Sequence, residues 1–155
     1  MKITRILTKF LIVIIFTFLA FTTKVKANDA TPIMPMNKWN IYLTIEEIEV
    51  LSRIVQLEAG GEIRESKYAT IETILNRIVS ERYPNTLLEV VSQKGQFSTW
   101  KNVMTARATP SIDTYQSVVI VLTGQTNILP FDNLKFNNQP IGNNPIKIGN
   151  QYYGK

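Results

Sequence analysis

With 155 residues the chain is long enough for one domain, and its lack of Cys and His excludes disulfides, thiolate nucleophiles, zinc-thiolate sites, Ser-His or Cys-His catalysis and imidazole metal ligation. The formal charge of +5 comes from 17 Lys and Arg against 12 Asp and Glu, but Lys2, Arg5, Lys9, Lys24 and Lys26 all precede Asn28, and the rest of the chain is charge-balanced. No basic run interleaved with aromatics remains to hold a nucleic acid, and carboxylates are left as the most suitable catalytic groups.

Residues 1–27 have the form of a secretory signal peptide. A basic start is followed by an apolar run from Phe10 to Phe21 interrupted only by Thr17, and Val25-Lys26-Ala27 supplies small residues for cleavage after Ala27. The run is shorter than the roughly 20 residues a spanning helix needs, so export is expected rather than anchorage in the membrane. Residues 28–42 carry Pro and Asn with little periodicity and read as a linker or extended arm. A single domain is expected over 43–155.

The domain opens on a capping box, Thr44-Ile45-Glu46-Glu47, with Leu43 and Ile48 placed as a hydrophobic staple. A helix from Ile45 to about Glu58 follows, its apolar positions Ile48, Leu51 and Val55 spaced to face a core, with Ile54 beside them. Glu58 is the next member of that series. The stretch "QLEAGGE" therefore carries a carboxyl group to the buried side of the last helical turn and stops the helix at Gly60-Gly61. Burial and the negative end of the helix dipole both disfavour the ionised form, which suits a general acid. A solvated or surface-paired Glu is the alternative on this local pattern.

A second long helix is expected over Glu65 to Arg82, from Tyr68, Ile71, Leu75 and Ile78, with Pro84 ending the region. Thr86-Leu87-Leu88-Glu89 opens a short helix to about Ser92, and the loop "QKGQFSTW" comes next. Ser111 to Leu122 reads as a helix with Ile112, Tyr115, Val118, Val119 and Leu122 in register, stopped by Gly124. The tail "IKIGNQYYG" is two β-prone runs around a Gly149-Asn150 turn, and Leu134 to Asn137 is a further short strand.

The segments "LSRIVQLEAGGE", "ATIETILNRI", "YPNTLLEVVSQKGQFS", "LKFNN" and "IKIGNQYY", in that order, resemble the catalytic domain of the spore cortex-lytic cell-wall hydrolases, the SleB/CwlJ type. The resemblance implies an α+β, mainly α, lysozyme-like fold with a small β region near the C-terminus. It implies cleavage of peptidoglycan glycan strands between N-acetylmuramic acid and N-acetylglucosamine, as lytic transglycosylation in characterised relatives. It places the family's catalytic glutamate, the first of its E-A-x-G-E motif, on Glu58. No metal or cofactor is implied. Gln96, Phe97 and Ser98 match a recurring Q-F-S loop expected to border the groove, and Phe136 and Asn138 match a late aromatic-and-Asn segment.

Glu62, Asn76 and Tyr153, with Tyr152 as an alternative, complete the candidate substrate-binding set. Each has a competing structural role: Glu62 and Asn76 in hydrogen-bonding loops, the tyrosines in packing. Two features depart from the family pattern, Gln151 where many relatives have His and Lys135 where they often have Tyr. Anchoring to the wall is expected to rest on the groove alone or on a partner protein. Hydrolysis directed by a second carboxylate, Glu62 or Asp132, and wall binding without turnover stay open, as does the choice between spore cortex and vegetative wall.

Overall fold

The computed structural model describes residues 37–155; the expected signal peptide and residues 28–36 of the expected linker lie outside them. The described part is mainly helical with a small antiparallel sheet: α1 (Ile45–Ala59), α2 (Arg64–Ile78), α3 (Leu87–Ser92), α4 (Ile112–Leu122), β1 (Lys135–Asn137), β2 (Ile146–Ile148) and β3 (Gln151–Gly154). Two 3-10 turns, Ser98–Asn102 and Ala106–Ala108, connect α3 to α4. The α+β, mainly α class expected from the sequence is the class observed. No helix among the described residues is long and apolar enough to cross a membrane.

The α1 capping box forms as expected: Thr44 Oγ1 accepts from the Glu47 amide at 3.2 Å, and Glu47 Oε2 accepts from the Thr44 amide at 2.9 Å. Leu51, Ile54, Val55 and Ala59 of this helix are buried, with Leu43 and Ile48 packed at the edge of the same cluster. The described end of the expected linker is an arm stitched into the core. Trp39 is 5% exposed and its indole N–H donates to Asn76 Oδ1 at 2.6 Å. Asn37 Nδ2 donates to the carbonyl of Leu122, one of the groups a helix end leaves without an internal partner.

Helix α2 is the hub, packed against every other helix and all three strands. From Ser66 onward it is buried almost all round except at Tyr68, so its interior residues include Thr70, Glu72, Thr73, Asn76 and Arg77. It ends at Ile78, four residues before the expected Arg82. Pro84 disfavours helical geometry at Tyr83, and the chain instead turns through Ser80 N to Arg77 O and Tyr83 N to Ser80 O, both at 3.1 Å.

Helix α4 presents a different face from the one expected. Thr114, Ser117, Val118, Val121 and Leu122 are buried, whereas Ile112 is 78% and Val119 51% exposed. The inward stripe contains two hydroxyls that apolar periodicity overlooks. Ser117 Oγ donates to the Asp113 carbonyl at 2.8 Å and Thr114 Oγ1 to Gln56 Oε1 at 2.7 Å, so neither is buried unsatisfied.

The sheet has the order β1-β3-β2, with Phe136 and Ile146 both opposite Tyr153 and Ile148 opposite Gln151. Gly149 makes the hairpin turn at φ +58, where a side chain would be strained and would also meet Glu62 at 2.8 Å. A second small cluster of Ala69, Leu129 and Tyr153 joins the sheet to α2.

Candidate active site

The last turn of α1 delivers Glu58 to a cleft of about 400 Å³ lined by Glu58, Arg77, Gln96, Ser98, Phe136, Asn137, Asn138 and Gln151. Five parts of the chain meet there: the end of α1, the body of α2, the loop after α3, β1 with the residues after it, and β3. Two other surface clefts are of similar size, so volume does not single this one out. One is an apolar strip on the outer face of α4 without a titratable acid, and the other holds Asp132.

Glu58 is half-buried, and its Oε1 accepts a hydrogen bond from the Thr99 hydroxyl. Burial pushes its carboxyl above the ordinary carboxylate value; the Thr99 hydroxyl and then the Arg77 charge pull in the opposite direction without cancelling the effect. The carbonyl of Glu58, in the turn that lacks internal donors, accepts from Gln151 Nε2 at 2.9 Å. Gln151 Oε1 in turn accepts from the Tyr153 phenol at 2.7 Å and the Thr70 hydroxyl at 3.3 Å. The hairpin thus clamps the end of α1 through one amide side chain.

Gly60 continues the chain at φ −59, an ordinary helical value, so no left-handed turn requires it. A Cβ there would come within 2.3 Å of the Gln56 carbonyl oxygen, whereas one at Gly61 would meet nothing within 4 Å. The backbone beside the acid is therefore open at Gly61 and tight at Gly60.

Of the residues expected at the site, Glu58, Gln96, Ser98, Phe136 and Asn138 line one cleft together. Four others are placed elsewhere. Glu62 accepts from the Asn150 amide at 3.0 Å and from Asn150 Nδ2 at 3.3 Å, fixing the β2-β3 turn. Asn76 is fully buried, donating to the Pro130 and Asn133 carbonyls and accepting from Trp39, which spends its amide on the loop before β1. Phe97 is a core residue whose ring centre lies 6.0 Å from that of Phe136, so it supports the cleft wall from behind.

Tyr153 is 0% exposed, its hydroxyl sharing hydrogen bonds with Ser66, Thr70 and Gln151; it cannot stack on a sugar in this arrangement. Asp132 forms an ion pair with Lys155 and lines a different cleft. Among the described residues, Glu58 is thus the one carboxylate lining the cleft.

Arg77, Asn137 and Thr99 were not anticipated. Thr99 directly follows the Q-F-S triplet, and Arg77 follows Asn76 in "LNR", a charged residue amid apolar helical positions; that contrast was the available signal.

A family model described as cell wall hydrolase matches residues 61–153, which span the cleft-lining residues other than Glu58. Glu58 lies three residues before the matched stretch. No curated protein and no solved structure matches the chain.

Proposed function

The chain belongs to the cell wall hydrolase family, whose activity is the degradation of peptidoglycan, and from that premise we propose that it cleaves glycan strands by lytic transglycosylation with Glu58 as the sole acid and base. The observation that carries this reading is the single carboxylate of the cleft. Glycoside hydrolysis ordinarily requires a second carboxyl group across the scissile bond, and the two candidates, Glu62 and Asp132, are engaged with Asn150 and Lys155.

One carboxyl group suffices when the nucleophile is the substrate's own hydroxyl. Glu58, whose hold on its proton burial strengthens, gives that proton to the oxygen that links muramic acid C1 to N-acetylglucosamine, and the C1–O bond breaks. The carboxylate left behind then takes the proton of the muramyl C6 hydroxyl as that oxygen bonds to C1. The product is a 1,6-anhydro end, no water is consumed, and Glu58 recovers its proton. The amides of Gln96, Asn137 and Asn138 offer donors and acceptors suited to N-acetyl groups, and Phe136 offers a partly buried ring for a sugar face.

The test is to incubate the purified protein with peptidoglycan from spore cortex and from vegetative wall and to weigh the released fragments. Anhydro-muramic ends, each one water lighter than the hydrolytic product, support the proposal. Reducing ends overturn it in favour of hydrolysis, and intact walls that nevertheless retain the protein overturn it in favour of binding without turnover.

A further inference from the structure

Arg77 is 4% exposed, yet its side chain forms part of the wall of the Glu58 cleft. Its Nε donates to the Leu134 carbonyl at 2.7 Å, and the guanidinium carbon lies 5.1 Å from the ring centres of Tyr83 and Phe97 and 6.0 Å from that of Phe136. Three rings and one carbonyl therefore fix the plane of the group. Its Nη1 is buried and has no hydrogen-bond partner among the described residues, and it belongs to none of their ion pairs.

Such an arrangement is costly for a purely structural residue. A buried guanidinium keeps its charge and is stable only when its donors are used, and an apolar side chain of similar volume would pack the same rings without that cost. The unused donor implies a need for positive charge at this place. Among the described residues, Arg77 is also the one charged side chain that joins Glu58 in the cleft. The loop after α3 contributes Gln96, Ser98 and Thr99, the β1 region Phe136, Asn137 and Asn138, and β3 contributes Gln151, none of which carries charge.

We propose that Arg77 is a positioning residue of the reaction: a cation held rigid on the cleft wall that stabilises the Glu58 carboxylate during the interval between giving its proton to the leaving oxygen and recovering one from the C6 hydroxyl. This inference rests on the reading of Glu58 as acid and base. With water displaced by the glycan, the negative charge left on Glu58 lies in a medium of low dielectric, where a fixed opposite charge is worth more than in solvent. Burial alone would favour the protonated form of Glu58 but make it reluctant to release its proton, because the ionised form is destabilised. Burial opposed by the Thr99 hydroxyl and then by Arg77 tempers that hold, as one group serving as acid and then base requires. Lysine would serve less well, because a buried ammonium gives up its proton readily and lacks the planar fork that stacks among rings.

The test combines the pH profile of glycan cleavage with arginine side-chain nitrogen NMR. Arg77→Met keeps an unbranched chain among the rings and removes the charge. It is expected to slow cleavage at least about tenfold and to move the alkaline limb of the profile up by about one pH unit, with Arg77→Lys falling between. In the wild-type protein the Arg77 resonances should titrate with the midpoint of that limb, and Glu58→Gln should erase the titration. The NMR arm needs neither turnover nor a folded Arg77 variant.

An unmoved limb in folded Arg77→Met, or Arg77 resonances that stay flat across it, would overturn the proposal. A Glu58→Gln variant that still cleaves glycan would instead remove the reading of Glu58 on which the proposal rests, a failure seen in activity rather than in the Arg77 signals.

Discussion

Glu58 and Glu72 sit on adjacent helices, both largely taken out of water, and they could hardly be used more differently. Glu72 is 0% exposed and saturated: it accepts from the Ile128 and Leu129 amides, the Thr126 hydroxyl and the Lys38 ammonium, at 2.8 to 3.2 Å. It ties the arm at Lys38 and the loop before β1 to the hub helix. Glu58 has one hydroxyl donor from Thr99, an open cleft on its other side and a cation nearby that does not pair with it. Burial thus does not set the carboxylate proposed as acid and base apart from the structural one; the supply of donors does. A saturated carboxylate holds parts together, and an undersupplied one at a cleft is ready to exchange a proton.

The largest break in this comparison should come from Glu72→Ala. It takes the acceptor from the buried Leu129 amide and the partly buried Ile128 amide and leaves the Lys38 ammonium only Asn127 and the Leu129 carbonyl, so a loss of about 3 to 5 kcal/mol is expected in urea denaturation, with cleavage per folded molecule retained. If Glu72→Ala folds as well as the wild type, the structural assignment of that residue is wrong. Gln151→Leu tests the clamp at the other end. It removes the donor to the Glu58 carbonyl and the acceptor of the Tyr153 phenol, and about 1 to 3 kcal/mol of stability should be lost along with cleavage rate. Loss of stability with the rate per folded molecule unchanged would confine Gln151 to the fold.

Thr99→Val should have a smaller effect on stability, about 1 kcal/mol, and a diagnostic effect on pH dependence. Its hydroxyl lowers the proton affinity of Glu58, so removing it should move the alkaline limb of the cleavage profile upward. A downward move would contradict the assignment of that limb to Glu58. The subtlest effect concerns stability itself. The carboxyl of Glu58 binds its proton more tightly in the folded chain than in the unfolded one, so its contribution is present below the ordinary carboxylate range and is lost as pH rises through the elevated value. Glu58→Gln, which never ionises, should melt at the same temperature as the wild type near pH 4 and at a slightly higher one near pH 8. Equal melting temperatures at both would remove burial as the cause of the raised affinity.

The position of Glu58 was legible in the sequence because the start and orientation of its helix are set locally, by the capping box that starts α1 and the apolar spacing that turns it inward, although the clamp from Gln151 and the Thr99 hydroxyl were not. The four helices and the hairpin were legible for the same reason. What was not legible depends on contacts across the chain. Glu62 is claimed by Asn150, 88 residues away, and Asn76 by Trp39 and by the carbonyls before β1, so their local surroundings carry no trace of their partners.

Arg77 escaped notice because α2 carries Lys67, Glu72, Thr73 and Asn76 as well, so that in the sequence a further charged residue reads as part of a solvated face, whereas the helix is buried almost all round. The face of α4 was misread because its inward stripe uses Thr114 and Ser117, small hydroxyl residues satisfied by Gln56 and by their own helix.

The most direct measurement is the rate at which Glu58→Gln releases soluble fragments from purified sacculi, per folded molecule, beside the wild-type protein. A folded variant slowed about a thousandfold is the predicted result, since the substitution keeps the shape and the Thr99 hydrogen bond and removes the transferable proton. A folded Glu58→Gln that releases fragments at the wild-type rate would contradict the account, because no other carboxylate among the described residues lines that cleft.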